Sequence, residues 1–143
     1  MGEKSILVFD PGESTGWVFR DREGKVTGGT CPKDHMSVAE RFHTLNPDIV
    51  VLERFNLYPG MAKSLSWNSF YPCEVIGVIK YMCMKSNIPY YEQAPSVKKY
   101  SGMQNKNSSR AWIELRTSCP QATEHTWDAL QHLHYYLRNR KNT

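Results

Sequence analysis

Ser5-Ile6-Leu7-Val8-Phe9-Asp10-Pro11-Gly12 is the stretch that decides the fold. A continuous apolar run cut off by a turn-forming Asp-Pro-Gly is what a strand covered on both faces requires, so it predicts a central strand. Outward from it, Gly16-Trp17-Val18-Phe19-Arg20 and Lys25 to Thr30 flank the polar Asp21-Arg22-Glu23-Gly24 and predict a hairpin, which makes three antiparallel strands. Met36, Ala39, Phe42 and Leu45 then recur at helical spacing behind Asp34, a residue suited to an N-cap, until Asn46-Pro47 stops the helix. Ile49-Val50-Val51-Leu52-Glu53 repeats the opening pattern of an apolar strand ending in an acid. Arriving after a helix, it is expected to lie parallel to the first strand.

Farther along, Val75, Ile76, Val78, Ile79, Met82 and Cys83 predict a helix over 74–86 that is apolar around most of its circumference. Ile88 to Glu92 reads as a short strand, Pro95 to Tyr100 as a helical turn and Gly102 to Ser108 as a polar, basic loop, with two helices over 109–118 and 124–140. The order βββαβαβαα predicts an α/β sandwich on a mixed sheet. With 143 residues and 40% hydrophobic content the chain is expected to form one domain around one core. No apolar run reaches the roughly 18 residues of a membrane span, and Met1-Gly2-Glu3-Lys4-Ser5 lacks the order of a secretion signal, so a cytoplasmic protein is expected. Cys31, Cys73, Cys83 and Cys119 form no C-x-x-C pair and read as reduced, buried thiols.

Charge is unevenly placed. Residues 1–60 carry a net −2 and residues 61–143 a net +6, including Lys98-Lys99, Lys106, Arg110 and the Arg138, Arg140, Lys141 tail. Such a half suggests a polyanionic partner, although a solvated lysine-rich surface gives the same count.

The acids are more specific. Asp10 and Glu53 end two strands expected side by side, which brings both carboxylates to one sheet edge. On the last helix His125 and Asp128 stand at i and i+3 on one face, with Glu124 and His132 flanking them. An oxygen-rich group without cysteine favours Mg²⁺ or Mn²⁺ over zinc. Beside a basic surface, that points to phosphodiester chemistry, in which two ions about 3.5–4 Å apart can activate water and stabilise the departing oxygen. Taken singly, Asp10 is a turn residue, Glu53 a strand cap or a partner of Arg54, and His125 and Asp128 ordinary first-turn groups. His132 and His134 read as structural, the second solvated. Trp67, Trp112 and Trp127 read as packing residues.

The ordered set Asp10-Pro11-Gly12-Glu13-Ser14-Thr15-Gly16, strand-terminal Glu53 and His125-Thr126-Trp127-Asp128-Ala129-Leu130 resembles the RuvC-like Holliday-junction resolvases. Glu74-Val75-Ile76-Gly77-Val78-Ile79 and Pro95-Ser96-Val97-Lys98-Lys99-Tyr100-Ser101-Gly102 extend the likeness over nearly the whole chain. The compact length looks more like phage or mobile-element members than the longer bacterial housekeeping enzymes.

The resemblance implies a ribonuclease H-like fold with a central mixed five-stranded sheet flanked by helices. It makes Asp10, Glu53 and Asp128 metal-binding carboxylates and places His125 where the family has Asp or His, with Glu124 as its competitor. An imidazole is softer than a carboxylate, so His125 predicts a relative preference for Mn²⁺ over Mg²⁺, or a role in positioning water. Phe55, or Tyr58 in its place, would stack on unpaired bases at a crossover, as the family's aromatic after this Glu does. Lys98, Lys99, Lys106 and Arg110 form the expected phosphate-contact set. The implied activity is symmetric nicking of four-way junctions or related branched DNA to 5′-phosphate and 3′-hydroxyl ends by a homodimer, with the 74–86 helix as an interface element. Three rival readings remain: a ribonuclease acting on RNA or RNA–DNA hybrid, a non-catalytic branched-DNA binder, and a nucleotide-binding domain that borrows the Asp10–Gly16 loop.

Overall fold

The computed structural model describes residues 3–55, 71–103 and 105–140. Five strands form one sheet: β1 (Ile6–Asp10), β2 (Thr15–Arg20), β3 (Val26–Cys31), β4 (Ile49–Glu53) and β5 (Tyr90–Gln93), in the spatial order β3-β2-β1-β4-β5. The first three pair antiparallel, and β4 runs parallel to both β1 and β5. The helices are α1 (His35–Leu45), α2 (Tyr71–Lys85), α3 (Arg110–Ser118) and α4 (Glu124–Asn139), and Pro95–Tyr100 is a 3₁₀ segment.

Strand alternation sorts the side chains of β1 and β4 into two layers. Leu7, Phe9, Val50 and Leu52 pack with Val38 and Phe42 of α1 and Val75 and Ile79 of α2. Ile6, Val8, Ile49 and Val51 pack on the opposite face with Trp112 and Leu115 of α3 and Leu130 and Leu133 of α4. Trp112 and Trp127 meet edge to face there, with ring centroids 5.5 Å apart, a pairing worth about 0.5–1.5 kcal/mol beyond its burial. Asp10 and Glu53 continue the parity of Ile6 and Ile49, and so face α4. At the other end of these strands, Asp48 accepts hydrogen bonds from Ser5 N at 2.8 Å and from Arg22, which holds its carboxyl well below the usual carboxylate range.

The element order follows the pattern read from the sequence, with three local differences. The second helix is described over Tyr71–Lys85, ahead of the expected start at 74, and Pro72 within it fits a first turn, where no N–H is needed. The fifth strand begins at Tyr90, and the preceding Pro89 contributes only its carbonyl, to Val50 N at 3.1 Å. Cys31, Cys83 and Cys119 are buried as expected, whereas Cys73 is exposed on α2. Among the described residues, no helix is long and apolar enough to cross a membrane.

Candidate metal centre

The last turn of each parallel strand and the first turns of α4 meet at the carboxyl edge of the sheet. Asp10, His125 and Asp128 bring ligand atoms within 4.8 Å of one another, and so do Asp10, Glu53 and His132, so Asp10 belongs to both groups. Asp10 is only 6% exposed. Burial, reinforced by the Glu53 and Asp128 carboxylates, pushes its carboxyl up to about 8. Burial also works to raise Glu53, but the hydrogen bond and charge of His132, helped by Lys98, hold it below its usual value. When the two carboxyls share a proton, it therefore resides on Asp10.

Alpha-helix α4 reaches the site because its N-terminus is fastened to the sheet. Thr123 caps it, accepting from His125 N, while Thr126 Oγ1 accepts from Thr123 N at 3.1 Å and donates to Gly29 O at 2.7 Å. Beneath this turn lies Gly16, where a Cβ would overlap the His125 carbonyl. The final glycine of the Asp10–Gly16 loop thus permits the close approach that puts His125 and Asp128 over Asp10. His125 Nδ1 stands 3.9 Å from Asp10 Oδ2 with its side chain 45% exposed, so it occupies the open side of the group. Glu124 instead pairs with Lys106 and belongs to neither group of ligand atoms.

Two members of the site were read differently from the sequence. His132 is fully buried and is more than a packing residue: its Nε2 lies 2.7 Å from Glu53 Oε2 and its Nδ1 2.6 Å from Gln93 Oε1. Glu53 and Gln93 are register partners across β4 and β5, so one imidazole ties both strand ends to α4. Lys98, expected among surface phosphate contacts, has its ammonium 3.3 Å from Glu53 and 3.6 Å from Asp128. The three carboxylates overcome the cost of its burial and raise its pKa.

The remaining expected DNA contacts differ in their surroundings. Lys106 is engaged by Glu124, and Arg110 lies 3.0 Å from Glu114. Lys99 is exposed and Phe55 half-buried, while Tyr58 and Trp67 lie outside the described residues. His134 is half-buried, not solvated, and burial lowers its pKa.

The donor set fits hard divalent cations. Three carboxylates, one of them kept protonated by its burial and by the repulsion of its neighbours, face Lys98, and a cation would relieve that repulsion.

No protein-family model matches the sequence, and no curated protein matches it significantly. Solved structures do. The chain is similar to Thermus thermophilus RuvC in complex with a Holliday junction substrate, at 16% identity over 95% of this chain and 96% of that one, with a TM-score of 0.66. A further Thermus thermophilus RuvC structure superposes at 18% identity over 94% and 95% of the two chains, with a TM-score of 0.55. The fowlpox virus Holliday junction resolvase does so at 18% identity over 94% and 96%, with a TM-score of 0.51. The mixed five-stranded sheet and its flanking helices thus form a ribonuclease H-like fold, shared with these junction resolvases.

Proposed function

We propose that the protein is a divalent-metal-dependent endonuclease that resolves four-way junctions or related branched DNA. The observation that carries this reading is the carboxylate shared by two ligand groups, Asp10, at the edge of a sheet that folds as the junction resolvases do. Asp10 and Glu53 would hold one ion and Asp10, His125 and Asp128 the other. Bound there, Mg²⁺ or Mn²⁺ would lower the pKa of the attacking water and offset charge on the departing oxygen. The chain's own groups do the rest. Asp128 supplies negative charge, Asp10 does so once a bound ion displaces its proton, His125 borders the open side where a strand would enter, and Lys98 can donate to a phosphoryl oxygen while balancing the carboxylates.

His132 acts on Glu53, with Gln93 holding the far side of the ring. His132→Ala is expected to weaken Mn²⁺ binding tenfold to a hundredfold and to cost about 2–3 kcal/mol of stability, because Glu53 and Gln93 lose a buried partner. Calorimetric titration with Mn²⁺, alongside thermal unfolding, checks both; an unchanged affinity would reduce His132 to a packing residue.

A junction has two-fold symmetry, and a two-fold dimer matches it. On α2, Cys73, Gly77, Tyr81 and Met84 form an exposed stripe, with open space above Gly77 and Tyr81 60% exposed. Pairing of this stripe with its copy predicts a dimer in sedimentation at micromolar concentration and a monomer for Tyr81→Glu; a monomeric wild type would contradict it.

Substrate choice is tested by competition. A labelled four-way junction bound in EDTA is expected to resist excess linear duplex and RNA–DNA hybrid. Preferential displacement by hybrid would favour a ribonuclease instead.

A further inference from the structure

A groove of about 840 Å³ opens between the 3₁₀ segment and the C-terminal half of α4. Among the described residues, Lys99 and Arg138 line it with Tyr100, Tyr135 and Asn139, and no carboxylate does. The contrast with the neighbouring cations is chemical: Lys98, Lys106 and Arg110 each sit on a carboxylate, whereas among the described residues Lys99 and Arg138 have none within salt-bridge distance. Lys99 lies 5.3 Å over the ring of Tyr100, which is itself 62% exposed.

Helical spacing joins this groove to the metal centre. Asp128, Gln131, Tyr135 and Arg138 fall at intervals of three or four along one face of α4, and Gln131 lines the groove too. The ten residue steps from Asp128 to Arg138 span about 15 Å, the rise of roughly four nucleotides of one strand.

Arg138 is seated by a glycine. Gly102 has φ +85°, and a Cβ there would overlap the Arg138 guanidinium, so the arginine crosses bare backbone at the groove wall. The left-handed conformation strains any residue larger than glycine, and a Cβ there would push the Arg138 guanidinium aside.

We propose that this groove holds the sugar-phosphate backbone of the DNA strand leading away from the cleaved phosphate, with Lys99 and Arg138 on its phosphates and Gly102 setting the position of Arg138. The proposal rests on the branched-DNA reading and adds a subsite and direction to it. Both cations are exposed, so their loss leaves the fold intact.

The test is the salt dependence of binding to a synthetic four-way junction in EDTA, with full-length protein. Lys99→Gln and Arg138→Gln are each expected to flatten the plot of log affinity against log salt by about one unit. Gly102→Ala is expected to flatten it similarly, and to add nothing further in an Arg138→Gln background. Calorimetric Mn²⁺ binding should stay unchanged in all three. Parent slopes in Lys99→Gln and Arg138→Gln, with junction binding intact, would overturn the groove and leave the nuclease reading standing. Dissociation of an Arg138→Gln dimer would also overturn it, by assigning the groove to a subunit contact. Absence of junction binding by the wild type at any salt would overturn both readings together.

Discussion

In EDTA at pH 8, Asp10→Asn is expected to unfold at a higher temperature than the wild type while cutting no DNA. Burial and the adjacent Glu53 and Asp128 raise the Asp10 carboxyl from 3.8 to about 8. In the unfolded chain the group loses its proton near 3.8; in the folded, metal-free chain it keeps the proton until about 8. Between those limits folding takes up a proton, so wild-type stability falls as pH rises and levels off above the folded value. Asparagine keeps the shape and never ionises. The full shift would correspond to about 6 kcal/mol, but Glu53 shares the proton, so a gain of about 2–3 kcal/mol is expected at pH 8, vanishing below pH 4. Thermal unfolding across this range checks the sign. Adding Mn²⁺ should then raise the wild-type midpoint and leave that of Asp10→Asn nearly fixed. Equal midpoints at pH 8 without metal would mean that Asp10 is not held among repelling carboxylates.

Gly16→Ala is expected to have the largest structural effect of any single methyl addition at this site. Gly16 is buried in β2, and its would-be Cβ coincides with the His125 carbonyl, so either β2 or the first turn of α4 must move. Overpacking of a core typically costs about 1–3 kcal/mol, and the obstacle here is backbone, which cannot rotate away. A loss of about 3 kcal/mol is therefore expected. Because the same turn carries His125 and Asp128, cleavage should fall at least a hundredfold even at temperatures where the variant is folded, since displacements of about 1 Å cost that much. Urea unfolding together with cleavage assays checks this. A variant with parental stability and activity would show that α4 does not rest on β2 as described.

Much of the fold was legible in local pattern. The runs 6–9 and 49–52 are apolar at every position, short and rich in Ile and Val, as a strand covered on both faces is, and each ends in an acid. Once the two strands are parallel neighbours, alternation alone sends Asp10 and Glu53 toward one layer. The i, i+3 spacing of His125 and Asp128 likewise survives any rotation of the helix about its axis.

What escaped the sequence depends on contacts between distant elements. His132 is four residues from Asp128 among apolar neighbours and looks like a core residue; its partners are Gln93, 39 positions away, and Glu53, 79 positions away. Only the pairing of β4 with β5 sets Glu53 beside Gln93. Lys98 differed for a related reason: in a Lys-Lys pair one-dimensional reading assigns both to solvent, whereas the 3₁₀ segment turns Lys98 into the carboxylates and leaves Lys99 outside. The fastening of α4 by Thr126 is legible in principle as a capping box, although its bond to Gly29 joins residues 97 apart.

The proposed activity is hydrolysis of phosphodiesters at DNA branch points by the carboxylates gathered on Asp10 with divalent metal. It is tested most directly by cleavage of an end-labelled synthetic four-way junction, beside matched duplex and RNA–DNA hybrid, with Mg²⁺, Mn²⁺ or EDTA, using the wild type and Asp10→Asn. Paired nicks are expected in the junction alone, with either metal, and none in EDTA or with Asp10→Asn. Tight junction binding with no cutting in any metal, or cutting that survives Asp10→Asn, would contradict it.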